Sequence, residues 1–303
     1  MDSDGGGGLH GAYLQADLIE RVGRYRVRAA LGNGALQRLW QRVLVESKRE
    51  LDVRTRSAAA LLLHGPSSVI AGPSAAWLHG CTAIDATSTH VLVPYGHPSR
   101  SRAGLVVHNG PLPGDDVIEL DGLRTLTVER VGCDLLCTAR PRDAIAVLDQ
   151  MLAALPEEER ERFRAQVDQR LARRRDPRGT RRGARLLGLA TGRAESPPES
   201  WLLLEVVDLG YPPPSANWPL YSPDGALLYR LDLAWPDLRI ALEYNGYAVH
   251  ADRVLADKRR AEDLRRRGWI VLAVTSADLV DNQRLDRVLH GAFVQRGHGQ
   301  RVC

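Results

Sequence analysis

Two carboxylates stand on what is otherwise an apolar hairpin: Asp232 and Glu243, in the stretch LYRLDLAWPDLRIALEYNGYAVH at residues 228–250. A turn at Trp235-Pro236-Asp237-Leu238 divides two apolar runs. If the hairpin is symmetric about the Asp237–Leu238 bond, Asp232 lies directly opposite Glu243. Opposed residues share a face, with Cβ atoms about 5 Å apart. Leu231, Leu233, Ile240 and Leu242 then point the other way, into a core. Adjacent carboxylates repel each other unless a cation sits between them. A hard divalent ion such as Mg²⁺ takes oxygen ligands in this way. The hairpin therefore reads as half of a metal site.

The same residues carry a family resemblance. Asp232, ten intervening residues, then Glu243-Tyr244-Asn245 resembles the D…(D/E)-x-K core of the PD-(D/E)XK nucleases. The following Gly246 and His250 narrow the likeness to the DUF559 branch, which is similar to the very-short-patch repair endonucleases. Upstream, Ser196-Pro197-Pro198-Glu199-Ser200 resembles the first-helix Glu motif of that branch. Downstream, Asp257 to Arg260, Gly268-Trp269 and Ile270 to Val274 follow its pattern, so the resemblance covers roughly residues 195–290.

That resemblance implies a restriction-endonuclease-like αβββαβ domain and metal-dependent hydrolysis of phosphodiester bonds. Asp232 and Glu243 would ligate Mg²⁺ or Mn²⁺, with the Tyr244 carbonyl and water completing the shell and Glu199 binding from the helix side. Such an ion lowers the pKa of an attacking water and neutralises charge on the phosphorane oxygens. His250 would serve as general acid or base, or else cap the next helix. Arg260 would contact the scissile phosphate or pair with Asp257 on the same helix. The departure lies at Asn245, where the general pattern has Lys and the DUF559 branch commonly has Asp. Lys258, one helix away, is a candidate replacement; its alternative is a plain surface residue. Asn245 bears on turnover more than on fold. Glu199 has a structural alternative too, since an acid in the first turn of a helix is stabilising by itself.

The elements that must position this chemistry follow from pattern and punctuation. Glu199 to Leu209 reads as a helix ended by Gly210, Asn217 to Tyr221 as a strand, and Ser222-Pro223-Asp224-Gly225 as a turn. The two hairpin strands follow, then a charged helix from Arg253 to Arg267, a buried parallel strand from Trp269 to Val274, and a helix from Ala277 to Phe293.

The front half reads differently. After a Gly-rich tail (1–8), residues 9–48 give helix Tyr13–Val22, a break at Gly23, and helix Tyr25–Leu31 bearing Arg24, Arg26 and Arg28. An Asn33-Gly34 turn follows, then a ribbon from Leu36 to Val45 bearing Arg38 and Arg42. This is the layout of a winged helix-turn-helix, whose second helix enters the major groove. Its alternative is a small helical cap with solvated arginines. The segment is similar to the front of AbiEi-type antitoxins, and Ser74-Ala75-Ala76-Trp77-Leu78-His79-Gly80 fits the same resemblance. Residues 49–155 read as a middle α/β scaffold, with strands at His90–Pro94, Leu105–His108, Val117–Leu120 and Leu123–Val128 and an Asp121-Gly122 hairpin signal. Cys133 and Cys137 sit at helical spacing but read as small buried hydrophobes.

Residues 156–194 form an Arg-rich helical linker. From Arg160 to Arg193 there are twelve Arg against Glu161, Asp168 and Asp176. Arg173, Arg174, Arg175, Arg181 and Arg182 are candidate phosphate contacts, although a charge run is usually a solvated surface. The nuclease-like domain then runs over 195–295, with a tail at 296–303. The fold class is thus α/β, with an α+β front half.

With 303 residues, 44% hydrophobic, the chain supports several domains. Only Lys48 and Lys258 are lysines; the remaining basic residues are arginine, which suits phosphate and base-edge contact. Four cysteines make no disulfide framework, and no apolar run reaches a membrane span, which fits a cytoplasmic protein. Two functions compete: a Mg²⁺- or Mn²⁺-dependent DNA endonuclease, acting as a homodimer or by sequential cuts in repair or phage defence, and an antitoxin-like DNA-binding regulator with a degenerate nuclease fold and a cognate toxin.

Overall fold

The computed structural model describes residues 8–246 and 251–298, with backbone alone for 251–258. The chain divides into two compact units, Met1–Thr138 with Gln166–Arg175, and Ala139–Ala165 with Asp176–Cys303. No helix among the described residues is long and apolar enough to cross a membrane.

The first unit opens with β1 (Ala12–Leu14), α1 (Gln15–Val22), α2 (Arg24–Gly32), β2 (Leu36–Trp40) and β3 (Val43–Glu46). The strands form an antiparallel sheet in the order β1-β3-β2. Leu18, Val27 and Leu44 make its core, with Tyr13, Ile19, Val22, Leu31 and Leu36 packed against them. The first helix starts two residues later than its periodicity predicts, because Tyr13 and Leu14 pair with Leu44 and Val43. The ribbon expected as one strand over Leu36–Val45 is a hairpin. It turns at Gln41-Arg42, with Arg42 at φ 66°.

The same unit continues through α3 (Val53–His64), whose first amides are capped by Asp52. Then come β4 (Val69–Ile70), α4 (Gly72–Leu78), β5 (Thr89–Val93), β6 (Leu105–Asn109), β7 (Val117–Leu120), β8 (Leu123–Leu126) and α5 (Val128–Thr138). The five strands are ordered β6-β5-β4-β8-β7. Asp121 and Gly122 have φ of 50° and 78°, the left-handed pair that a two-residue hairpin needs. Cys81, Cys133 and Cys137 are buried thiols in no disulfide, and the Cys137 hydrogen bond, with burial, raises the Cys133 thiol pKa.

The second unit holds α6 (Pro141–Ala153), the first half of α7 (Glu157–Ala172), α8 (Thr180–Leu189) and α9 (Pro197–Asp208). The apolar helix expected to close the middle domain, α6, thus belongs with the C-terminal elements. Asp149 of α6 is almost fully buried. Its Oδ1 accepts the Thr191 and Gly192 amides at 2.7 Å each, and its Oδ2 accepts the Ser200 hydroxyl at 2.6 Å. Gly192 has φ 67°, and a Cβ there would lie 2.6 Å from the Leu152 side chain. This clamp fixes the loop that leads into α9.

Four strands follow: β9 (Ser215–Tyr221), β10 (Leu227–Trp235), β11 (Ile240–Asn245) and β12 (Ile270–Thr275), ordered β12-β11-β10-β9. Both hairpin pairs are antiparallel, and β12 runs parallel to β11. Between β11 and β12 lies α10 (Ala251–Arg266); α11 (Ser276–Val280) and α12 (Gln283–Gln295) end the unit. The last two replace the single helix expected over Ala277–Phe293. Asp281 leaves the helical region at ψ 109° and caps the Gln283 amide, which restarts the helix.

The β10–β11 register pairs Leu233 with Leu242, Ala234 with Ala241 and Trp235 with Ile240, the symmetry about Asp237–Leu238 read from the sequence. Leu231, Leu233, Ile240 and Leu242 are fully buried. Each such side chain contributes about 1.5–3 kcal/mol by leaving water. Together they outweigh the cost of holding carboxylates on the opposite face.

Candidate functional site

The acidic cluster is built by α9, β9, β10, β11 and α10. Ser196 is extended before α9, and Pro197 and Pro198 occupy the first helical positions, where no amide donor is needed. Glu199 therefore falls at the third position, and its carboxylate folds back over the helix start. It accepts the Glu195 amide at 2.8 Å, the Ser196 hydroxyl at 2.7 Å and the Asn217 side-chain amide at 3.0 Å. Glu199 is 8% exposed.

Asp232 and Glu243 extend the hairpin register by one residue. The β10–β11 ladder itself ends at Leu233 and Leu242, and the Tyr244 amide donates to Asp232 Oδ2 at 2.7 Å. Tyr244 thus meets the cluster through its N–H. Burial pushes the Asp232 carboxyl up to about 6. The Tyr244 amide and Arg260 pull it down, while Glu199 and Glu195 push it further up. Glu243 is taken by Arg260, whose guanidinium lies 2.8 Å from Oε2 and 3.0 Å from Oε1. Asn245 ends β11 and is exposed. His250 lies outside the described residues, as does the Lys258 side chain. Among the described side chains of α10, Arg260, two residues beyond Lys258, reaches the cluster.

These residues do not fit a divalent ion as they stand. Glu199 already accepts three donors, Asp232 an amide, and Glu243 a guanidinium. Among the described residues no three carboxylate, imidazole or thiolate groups gather as a metal-ligand set. The cluster neutralises its charge with protein groups. The sequence signal for this is Arg260 itself, expected to contact the scissile phosphate or to pair with Asp257.

A second candidate surface lies on the first unit. Arg24, Arg26, Arg28, Arg38 and Arg42 are all exposed, and Tyr25 beside them is 85% exposed. None of the five enters an ion pair among the described residues. Val27 turns inward while Tyr25, Arg26, Arg28 and Ala29 face out, so α2 presents a basic face with one aromatic. Arginine on an exposed helix and ribbon is suited to phosphate contact.

The Arg-rich stretch is not one surface. Arg170 and Arg174 bind Asp116 and Asp134 within the first unit, the former at 2.6 Å. Arg130 bridges the same two carboxylates, at 2.5 Å to Asp116 and 2.8 Å to Asp134. In the second unit Arg164 donates to the Leu187 and Ala190 carbonyls, Arg185 pairs with Asp208, and Arg193 with Glu157. Arg173, Arg175 and Arg181 are exposed, and Arg182 is half-buried. Local spacing carries no sign of which of these arginines find acids, because their partners lie far along the chain.

Two histidine sets in the first unit also went unassigned. His90 Nδ1 and His108 Nε2 lie 3.0 Å apart on neighbouring strands. The Ser99 hydroxyl lies 2.6 Å from His64 Nδ1 and 2.7 Å from His97 Nδ1. Burial drives both His64 and His90 down to about 4, with the neighbouring His97 and His108 adding to the shifts.

Residues 67–190 match the AbiEi antitoxin C-terminal domain. The match contains the Ser74–Gly80 segment and lies beyond residues 9–48, onto which the sequence resemblance was also read. The chain belongs to the family of two uncharacterized Mycobacterium tuberculosis proteins, MT2308 of strain CDC 1551 and Rv2248 of strain H37Rv. It is 30% identical to each over 258 residues, which is 84% of this chain and 91% of each relative. The crystal structure of the RV2827C protein from Mycobacterium tuberculosis aligns with a TM-score of 0.41 and 15% identity, over 70% of this chain and 84% of that one.

Proposed function

We propose that this protein is a DNA-binding regulator of the antitoxin type, acting with a cognate toxin. The observation that carries the reading is the antitoxin-domain match at residues 67–190. The exposed arginines of α2 and of the β2–β3 hairpin support it. Read as a winged helix, the first elements put α2 in the major groove and the Arg38–Arg42 ribbon along the backbone. The C-terminal unit is a PD-(D/E)XK-like α-β-β-β-α-β arrangement that has kept the acidic frame and lost the hydrolytic step. The Arg260–Glu243 pair and Asn245 support that loss.

The direct test is binding of duplex DNA from upstream of the protein's own reading frame, followed across a salt series. Binding should weaken linearly on a log–log plot. Removing one contacting arginine should reduce the slope by about one unit. Co-expression with the neighbouring gene product should rescue growth if that product is the toxin. Salt-insensitive or absent DNA binding, with no rescue, sinks the proposal.

A second reading, a Mg²⁺- or Mn²⁺-dependent endonuclease, is favoured by Asp232 and Glu243 standing next beyond the Leu233–Leu242 pair, with Glu199 close enough to raise the Asp232 pKa. Metal-dependent cutting by wild type that disappears in Asp232→Ala would establish it.

A further inference from the structure

We infer that Arg260 is the resident cation of the acidic cluster, bound by Glu243 in place of a divalent metal ion and closing the cluster to one. Four contacts hold the guanidinium. It reaches both oxygens of Glu243 at 2.8 and 3.0 Å and donates to the Arg230 carbonyl. It also lies over the Tyr229 ring, 5.4 Å from the centroid. The ring is itself fixed, because the Tyr229 hydroxyl donates to Asp263 Oδ2 at 3.1 Å and Asp263 is paired with Arg267 at 2.8 Å.

Arg260 and Asp263 are three residues apart on α10 and so share a face. That face grips consecutive residues of β10, Tyr229 and Arg230, which lead directly to Asp232. The helix therefore delivers its cation in register with the acids. Glu243 retains only 16% side-chain exposure and Arg260 33%. A guanidinium stays charged across all working pH, and here its Nη2 reaches both Glu243 oxygens. Mg²⁺ gives up its water reluctantly, so it competes poorly for a carboxylate already paired in this way.

The inference rests on the non-hydrolytic regulator reading, but its readout is metal binding, so either can fail without the other. The experiment is titration of the full-length chain with Mn²⁺, followed by electron paramagnetic resonance of the free ion. Wild type should show no saturable single site, with or without Glu243→Gln. Arg260→Gln should gain one site of roughly 10⁻⁴ to 10⁻³ M. Adding Glu243→Gln to that variant should remove it. A single site in wild type that Glu243→Gln abolishes would overturn the inference. So would a folded Arg260→Gln variant that gains none. Should that variant fail to fold, the wild-type pair decides: saturable binding lost with Glu243 contradicts the inference, and equal non-saturable binding supports it.

Discussion

The two units each hold a cluster of aspartate or glutamate with arginine, and the clusters differ in their balance. In the first unit, all four oxygens of Asp116 and Asp134 meet a guanidinium from Arg130, Arg170 or Arg174. In the second, Glu243 pairs with Arg260, while Glu199 takes two amides and a hydroxyl and Asp232 takes an amide. A balanced lattice explains itself as structure. A surplus of buried carboxylate costs stability, as the raised Asp232 pKa records, and such surpluses concentrate where a site is or once was. The comparison separates arginines that hold the fold from those that face a ligand.

The largest effect should come from breaking the balanced lattice. Arg130 is 18% exposed and bridges both carboxylates, so Arg130→Met leaves each short of a partner. Chemical denaturation of the first unit should show a loss of about 3–5 kcal/mol. A loss near zero would mean that the lattice is decoration.

The second effect has the opposite sign. Asp232 is raised from 3.8 to about 6, so its ionised form is disfavoured in the fold. Asp232→Asn should therefore raise stability at pH 7, by about 1–2 kcal/mol, because Asn still accepts the Tyr244 amide. A net loss would show that the carboxylate is supported by contacts beyond the Tyr244 amide and Arg260.

A pH series sharpens the contrast further. The Asp232 pKa is raised above its unfolded value, so its contribution is full below about pH 4 and is lost as pH rises through about 6. His64 and His90 are lowered from 6.5 to about 4. Their neutral forms contribute fully above about pH 6.5, and that support is lost as pH falls toward about 4, on the order of 1–3 kcal/mol each. Acidification from neutral pH should loosen the first unit and tighten the second. Hydrogen exchange resolved by peptide would read both at once; parallel responses would refute the assignment.

The smallest stability effect belongs to the exposed arginines. Arg28→Ala should leave stability within about 0.5 kcal/mol while weakening DNA binding and reducing its salt slope. Calorimetry beside a binding titration distinguishes this from a structural role.

How much of this was legible in the sequence follows the range of the interactions. The hairpin register of β10 and β11, the Asp121-Gly122 turn and the parallel pairing of β12 are local patterns and stand as read, whereas β12, expected to be buried, is an edge strand in which Val274 alone is buried. Strand β4, two residues long, left no periodicity to find. The start of α1 was misplaced because pairing with β3 overrode a good helical pattern. The partners of Arg170 and Arg174 lie dozens of residues away, so charge density alone made the stretch look like a free basic surface. Arg260 shows the same limit at the candidate site: its residue type was noticed, but only the packing of α10 against β10 reveals that it faces Glu243.

The most direct test of the regulator account is incubation of wild-type protein with duplex DNA and Mn²⁺, assayed for both retention and strand integrity. The account predicts salt-sensitive retention of DNA that is recovered intact. Metal-dependent strand breaks that vanish in Asp232→Ala would contradict it and restore the nuclease.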